Sequence, residues 1–295
     1  MQYWEIVKKS FKNAWDYKFL WLFGYFVAAA DNGGSVYNWT DIMDSQKFME
    51  RNTRISDALQ ALPFDINPYL IGYLFVLLLC IGVIFWLFSV FSEGGLIYGI
   101  AKKEQNLTTG FMECWSESLN KFFRLFGITA VATIITIAIV LFMALAIIPS
   151  FFISVGLGIV LVFFGLIVLI PILIAIVCIQ GWAIRYAVLY NTNWFDSIGR
   201  GWSLFAGNFG PTLGIAFSSM LSQIVVNIAL VFGIILIAIP FIILGIINLW
   251  MGIIPGVITF LIIATIFSCY IGTFSSSVWT IGFMRLTGYA EPPAQ

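Results

Sequence analysis

The chain contains no histidine, and little charge of either sign. Its 295 residues include 14 basic and 14 acidic side chains, 9% of the total, against 61% hydrophobic. The missing histidine removes the side chain that titrates near neutrality and the commonest metal ligand. No Walker loop, GxSxG elbow or HExxH helix is present. The four cysteines (Cys80, Cys114, Cys178, Cys269) lack CxxC spacing, which argues against a disulfide framework or a zinc site. Cys80, Cys178 and Cys269 read as core residues at lipid depth, and Cys114 as an ordinary cytoplasmic residue. The zero net charge leaves no basic patch for nucleic acid. A protein without catalytic activity, cofactor or metal is expected.

What the chain has in excess is uncharged length. No charged residue occurs between Asp65 and Glu93, between Arg124 and Arg185, or between Arg200 and Arg285. Soluble domains carry about 25% charged residues, so water cannot be the solvent for these stretches. One helical crossing needs about 20 apolar residues. Barrel strands would alternate apolar and polar residues, and runs such as Ile134–Ile148 do not. The expected class is an all-α polytopic membrane protein with six transmembrane helices, near 18–32, 68–92, 122–147, 151–182, 209–239 and 256–284. The first is short, with about 20 Å of strongly apolar helix at 1.5 Å per residue. Residues 240–255 read as an interfacial hairpin anchored by Asn248 and Trp250; a seventh span is the competing reading. Pro171 is expected to kink the fourth span.

Lys8, Lys9, Lys12, Lys18, Lys102, Lys103, Lys121, Arg124, Arg185, Arg200 and Arg285 fall on one set of alternating loops. Lys47, Arg51 and Arg54 lie in the 31–67 segment, outnumbered there by six acids. The positive-inside rule then predicts a multi-pass protein of the plasma (inner) membrane with both termini cytoplasmic. A cleaved leader ending near Ala28–Ala30 is the alternative for the first thirty residues; Glu5 and Asp16 oppose it.

The first span also belongs to a repeat. Lys18-Phe19-Leu20-Trp21-Leu22-Phe23-Gly24 matches Lys121-Phe122-Phe123-Arg124-Leu125-Phe126-Gly127 at five of seven positions, and Asn208–Gly214 is a weaker copy. Before each copy, apolar residues recur at helical spacing: Trp4, Val7, Phe11 and Trp15; Phe111, Trp115, Leu119 and Phe122; Trp194, Ile198, Trp202 and Phe205. Such faces suit helices lying in the membrane surface. Three units are predicted (1–103, 104–190, 191–288), each an interfacial helix plus a helical hairpin. Residues 31–67 are expected to be an extracytoplasmic insertion in which 45–62 can form a short amphipathic helix, and 289–295 a cytoplasmic tail; Asn38-Trp39-Thr40 matches a glycosylation sequon, for which chance is the better explanation.

The stretch Arg185-Tyr186 … Ser197 … Gly201-Trp202-Ser203-Leu204 … Gly207-Asn208-Phe209 resembles the linker between the fourth and fifth spans in a broad prokaryotic superfamily of six-span proteins. That group includes the membrane domain found with some glycerophosphoryl diester phosphodiesterases, and related uncharacterised integral membrane proteins. Here Gly201 stands where serine is usual. The resemblance implies a six-span layout. The phosphodiesterase chemistry of that group belongs to a separate soluble domain, for which these residues leave no room.

Polar residues inside the apolar regions supply the candidate site. Glu93 sits at the cytoplasmic end of the second span, where Arg185 or Arg285 is its expected partner, and intramembrane ionisable groups are functional candidates by default. Ser218 and Ser222 form one ladder at spacing four, and Ser219, Gln223 and Asn227 another. Ser275 and Ser276 lie across from them on the sixth span, and Gln180 and Arg185 on the fourth. Close helix packing accounts for small residues at this spacing; the functional alternative is a polar cavity between spans five and six, open to the cytoplasm. Thr129, Thr133 and Thr136 either wall it or bond back to their own helix. The expected role is a lipid- or partner-organising membrane module, whose partners are the bilayer and a membrane or cytoplasmic protein. The alternative is a transporter or channel for a small solute or lipid through that cavity.

Overall fold

A computed structural model describes residues 3–32, 68–247 and 249–289. The described residues form eight α-helices: α1 (Tyr3–Asp16), α2 (Trp21–Asn32), α3 (Pro68–Glu104), α4 (Phe111–Ile153), α5 (Val155–Leu189), α6 (Trp194–Gly207), α7 (Phe209–Ile247) and α8 (Leu249–Thr287). A short 3-10 turn, Lys18–Leu20, precedes α2. Five helices, α3, α4, α5, α7 and α8, are long and apolar enough to cross a membrane. This is a polytopic helical membrane protein.

The first predicted span is the exception. Residues 18–32 form the 3-10 turn and a 12-residue α2, about 18 Å of α-helix. Asp31 and Asn32 are followed in sequence by Gly33 and Gly34, residues with low helix propensity. The segments before the three motif copies also differ. α1 and α6 are separate helices, whereas the corresponding residues 111–122 are continuous with the span in the 43-residue α4. In α4 no glycine or proline interrupts 111–126, and Glu117 pairs with Lys121 one turn on at 2.9 Å, which supports the helix. In the first turn of α7, Pro211 has no N–H to give to the previous turn, and the chain breaks at Asn208. At the first break Trp21 Nε1 donates to the Ala14 carbonyl at 2.7 Å and closes the end of α1.

The segment 240–255 is the tip of one long hairpin. α7 runs through Pro240 to Ile247, and α8 starts at Leu249 and runs through Pro255, with Gly245 against Gly252. No seventh span is present among the described residues. Asn248 and the Trp250 side chain lie outside them, as do the Asn38 sequon and the 45–62 helix. α5 continues as one helix through Pro171. α4 and α5 form a second long hairpin whose turn is Ser154 alone, with extended backbone. Three helices end in a left-handed residue: Asn106 after α3, Asn191 after α5 and Gly288 after α8. Asparagine and glycine tolerate that conformation best.

Burial divides every long helix in two. No described side chain in 72–89, 220–245 or 253–269 is buried, and in 133–153 and 155–177 only Ser150, Gly158 and Gly165 are. Most of these residues are large and apolar; Phe152, at the tip, is 88% exposed. The other half of each helix packs into a core with α1, α2 and α6. Phe23 of α2 meets Phe91, Phe111 and Trp115, and Trp182 meets Trp279 and Phe283. Charged groups join the helices at this end: Lys9 with Glu104, Lys103 with Asp16 at 3.5 Å, and Arg285 with Glu5 at 3.6 Å.

The amphipathic helices dock by their small seams. α1 buries Ile6, Val7, Ser10, Asn13 and Ala14, and leaves Trp4, Phe11 and Trp15 exposed. α6 buries Ser197, Gly201, Leu204 and Phe205, and leaves Trp202 exposed. Of the apolar faces read from the sequence, Val7 and Phe205 thus point inward and most of the aromatic rings outward. A side chain at Gly201 would meet the Ile179 carbonyl at 2.8 Å, which gives a physical reason for glycine there. The cysteines also differ from expectation. Cys114 is buried and Cys80 exposed, because α4 turns Cys114 onto Gly99 while Cys80 lies on the apolar half of α3.

Candidate functional site

The ten candidate residues fall in two places. Ser218, Ser219, Ser222, Gln223 and Asn227 lie on α7. Ser218 and Ser222 donate to their own helix at the Ile215 and Ser218 carbonyls, and Asn227 to Gln223. Gln223 Nε2 reaches Ser219 Oγ at 3.2 Å and crosses to Ser275 Oγ on α8 at 3.1 Å. One direct hydrogen bond therefore joins α7 and α8 at this level, and the grooves beside it are apolar, one lined by Phe241 and Phe260, another by Trp15 and Phe267. Thr133 and Thr136 bond back to carbonyls one turn earlier in α4. Gln223→Leu is expected to lower stability by about 1 kcal/mol, as membrane hydrogen bonds do; thermal unfolding in detergent measures it, and a loss several times larger would show that the seam carries more than packing.

A polar cavity lies among α2, α3, α5 and α8, with Val27 of α2 in its wall, apart from the α7–α8 seam. It has a volume of about 230 Å³, and Glu93, Gln180, Arg185, Ser275 and Ser276 line it, with Trp279. The physical reason is rotation of the helices about their axes: α8 turns Ser276 toward α5, and the Gln223 bond holds the α7 polar groups on the other side.

Arg185 is the centre of the cavity. It is 2% exposed. Its Nη1 donates to the Gly181 carbonyl at 2.7 Å and lies 3.9 Å from Glu93 Oε1; Nη2 reaches the Ser276 carbonyl at 3.5 Å. The guanidinium stands 5.9 Å from the centre of the Trp279 ring, within cation–π range. Glu93 is thus next to Arg185, while Arg285 pairs with Glu5. Arg185 and Ser276 line the cavity, and Arg185 Nε and Ser276 Oγ are buried with no partner among the described residues. Such groups are rare in native proteins, since leaving one unsatisfied costs about 1–3 kcal/mol.

Sequence reasoning did not single out Trp279 or Gly181, because nothing local marks them as neighbours of Glu93. It also missed a second polar cavity, of about 510 Å³ at the charged end, lined by Lys102, Glu117, Asn120, Lys121 and Arg124. Lys121 there donates to the Val188 carbonyl and Arg124 to Asn191, which ties α4 to the end of α5.

No protein-family profile matches the chain, and no curated protein and no solved structure is significantly similar to it. The functional reading therefore rests on the site itself.

Proposed function

We propose that this chain is a non-catalytic, multi-pass protein of the plasma (inner) membrane that binds and orders phospholipid, with both termini in the cytoplasm. The carrying observation is a polar cavity around a buried arginine, placed at the foot of an exposed apolar belt. The exposed stretch of α5, residues 155–177, is roughly 34 Å long at 1.5 Å per residue, close to the ~30 Å of bilayer hydrocarbon. Gln180 and Arg185 follow immediately below it. Basic residues gather at that end, as the positive-inside rule requires of a cytoplasmic face.

Six crossings in three units remain the best reading of the layout. α2 packs on α3 with Leu20 against Gly99, Phe23 against Gly95 and Phe26 beside Phe88, so the two run antiparallel. The pairing of Glu5 with Arg285 supports chain ends on one side. The last long helix of each unit, α3, α5 and α8, is followed by a left-handed residue. The resemblance around Arg185–Phe209 favours the same layout.

Solute passage between α7 and α8 is the weaker reading, because Gln223 bonds directly across that seam. The lipid reading is tested by native mass spectrometry of the protein purified in mild detergent. At least one phospholipid per chain is expected to remain bound, and a folded but lipid-free protein would refute it. Reporter fusions at residue 289 and within 33–67 test the orientation: cytoplasmic activity is expected at the first and external activity at the second.

A further inference from the structure

We infer that the Arg185 cavity holds the headgroup of a zwitterionic phospholipid, with the phosphate on the Arg185 guanidinium and a primary ammonium on the Glu93 carboxylate. The inference rests on the lipid-binding reading and adds which headgroup chemistry the cavity selects.

Depth is the first argument. Three helices independently place the cavity just beyond a stretch of one hydrocarbon thickness. In α3 the exposed residues 72–89 span roughly 27 Å before Glu93, and in α8 residues 253–269 span roughly 25 Å before Ser275 and Ser276. With α5, all three put the polar lining where headgroups lie. Val177, which lines the cavity, is 60% exposed and continuous with the belt, so the cavity wall reaches the bilayer side of α5. A lipid can enter sideways with its acyl chains still in hydrocarbon.

Charge is the second argument. The cavity carries one cation and one anion, with Nη1 and Oε1 3.9 Å apart. A purely anionic headgroup would meet Glu93, and a purely cationic ligand would meet Arg185, so each brings a like-charge contact. A phosphate and an ammonium joined by a short linker satisfy both.

Unused hydrogen-bonding capacity is the third. Arg185 Nε and Ser276 Oγ are buried at the cavity without partners. Arginine binds phosphate with parallel N–H donors, and Ser276, whose carbonyl lies 3.5 Å from Arg185 Nη2, brings a hydroxyl donor to the same wall. At the other pole a carboxylate only accepts hydrogen bonds. A primary ammonium supplies donors to it, whereas a trimethylammonium supplies none and prefers a cage of aromatic rings; the single ring here, Trp279, is already beside the guanidinium.

The test uses the full chain, delipidated in detergent and titrated with dioctanoyl phosphatidylethanolamine, phosphatidylcholine and phosphatidylglycerol, and with soluble O-phosphoethanolamine. Native mass spectrometry and thermal shift provide the readouts. The ethanolamine lipid is expected to bind about tenfold more tightly than either other lipid and than the soluble headgroup, a factor of ten being about 1.4 kcal/mol. Glu93→Gln leaves the arginine without its counter-charge and is expected to shift the preference to phosphatidylglycerol. Should that variant not fold, Val177→Trp decides: it narrows the mouth from a lipid-facing position, and is expected to weaken ethanolamine-lipid binding about tenfold with unchanged unfolding temperature. Equal binding of the three lipids, or a wild-type preference for phosphatidylglycerol, overturns the headgroup assignment and leaves the lipid reading standing. Soluble phosphoethanolamine binding as tightly as the lipid assigns the cavity to a soluble ligand instead. Binding of none of the four probes removes both readings.

Discussion

Gly272→Ala is expected to destabilise the folded protein by about 3 kcal/mol, at the upper end of the usual range for overpacking. Gly272 of α8 lies against Gly24 of α2 so closely that an added methyl would overlap the Gly24 carbonyl and α-carbon. The obstacle is main chain, which cannot turn aside as a side chain can. A methyl on Gly24 would in turn meet the Cys269 carbonyl and Thr273. Small residues permit this approach between membrane helices, and the pair seats α2, whose Phe23 is fully buried. Thermal unfolding in detergent is the measurement. Gly82→Ala is the control, because nothing lies within 4 Å of its new methyl, and there alanine should be neutral or mildly stabilising through helix propensity. Equal behaviour of the two variants would mean that α2 does not pack on α8 through these glycines.

Phe163→Arg is expected to reduce membrane insertion by about 3 kcal/mol, the cost of arginine near a helix centre on the insertion scale. Phe163 is 63% exposed and lies near the middle of the 155–177 belt of α5. Phe123→Arg is the comparison. That side chain is 82% exposed, but it neighbours Arg124 at the charged end, where an additional cation reaches headgroups and water. A translocon insertion assay, with the yield of protein in the membrane fraction, reads both. A similar penalty at the two positions would contradict a hydrocarbon belt confined to the far half of the helices.

The contrast between these two variants follows how much each level of structure reveals. The belt around Phe163 is legible directly, because the run from Arg124 to Arg185 has no charge and is too long for one crossing. The weakness of the first span is legible too, in the few apolar residues between Lys18 and Asp31. The Gly24–Gly272 contact is not legible, since the repeat marks Gly24 but nothing in the sequence pairs it with Gly272. The continuity of α4 was hidden for another reason. The aromatic spacing at 111–122 resembles that of α1 and α6, and neither the stretch around Lys121 nor that around Lys18 holds a glycine or proline, so nothing local separates the continuous helix from the broken one.

For the candidate site, the residue types were legible and the grouping was not. Glu93, Arg185 and Ser276 stand out in the sequence as polar groups near apolar runs, and the structure brings them to one cavity. Gln223 and Ser219 stand out equally, yet they belong to a neighbouring seam. In helices that are apolar on nearly every face, hydrophobic periodicity does not specify rotation about the axis, so it does not specify which polar groups meet.

The chain by itself determined that hydrocarbon surrounds most of its length, because the spacing of charges along a sequence is a one-dimensional property that lipid reads directly. It also determined that charge gathers at one end of the long helices. Only the tertiary structure decided that α3, α5 and α8 converge on Arg185 and that α2 is held by a glycine contact. Those outcomes depend on the depth and rotation at which helices pack, and packing is settled by shape between segments far apart in the chain.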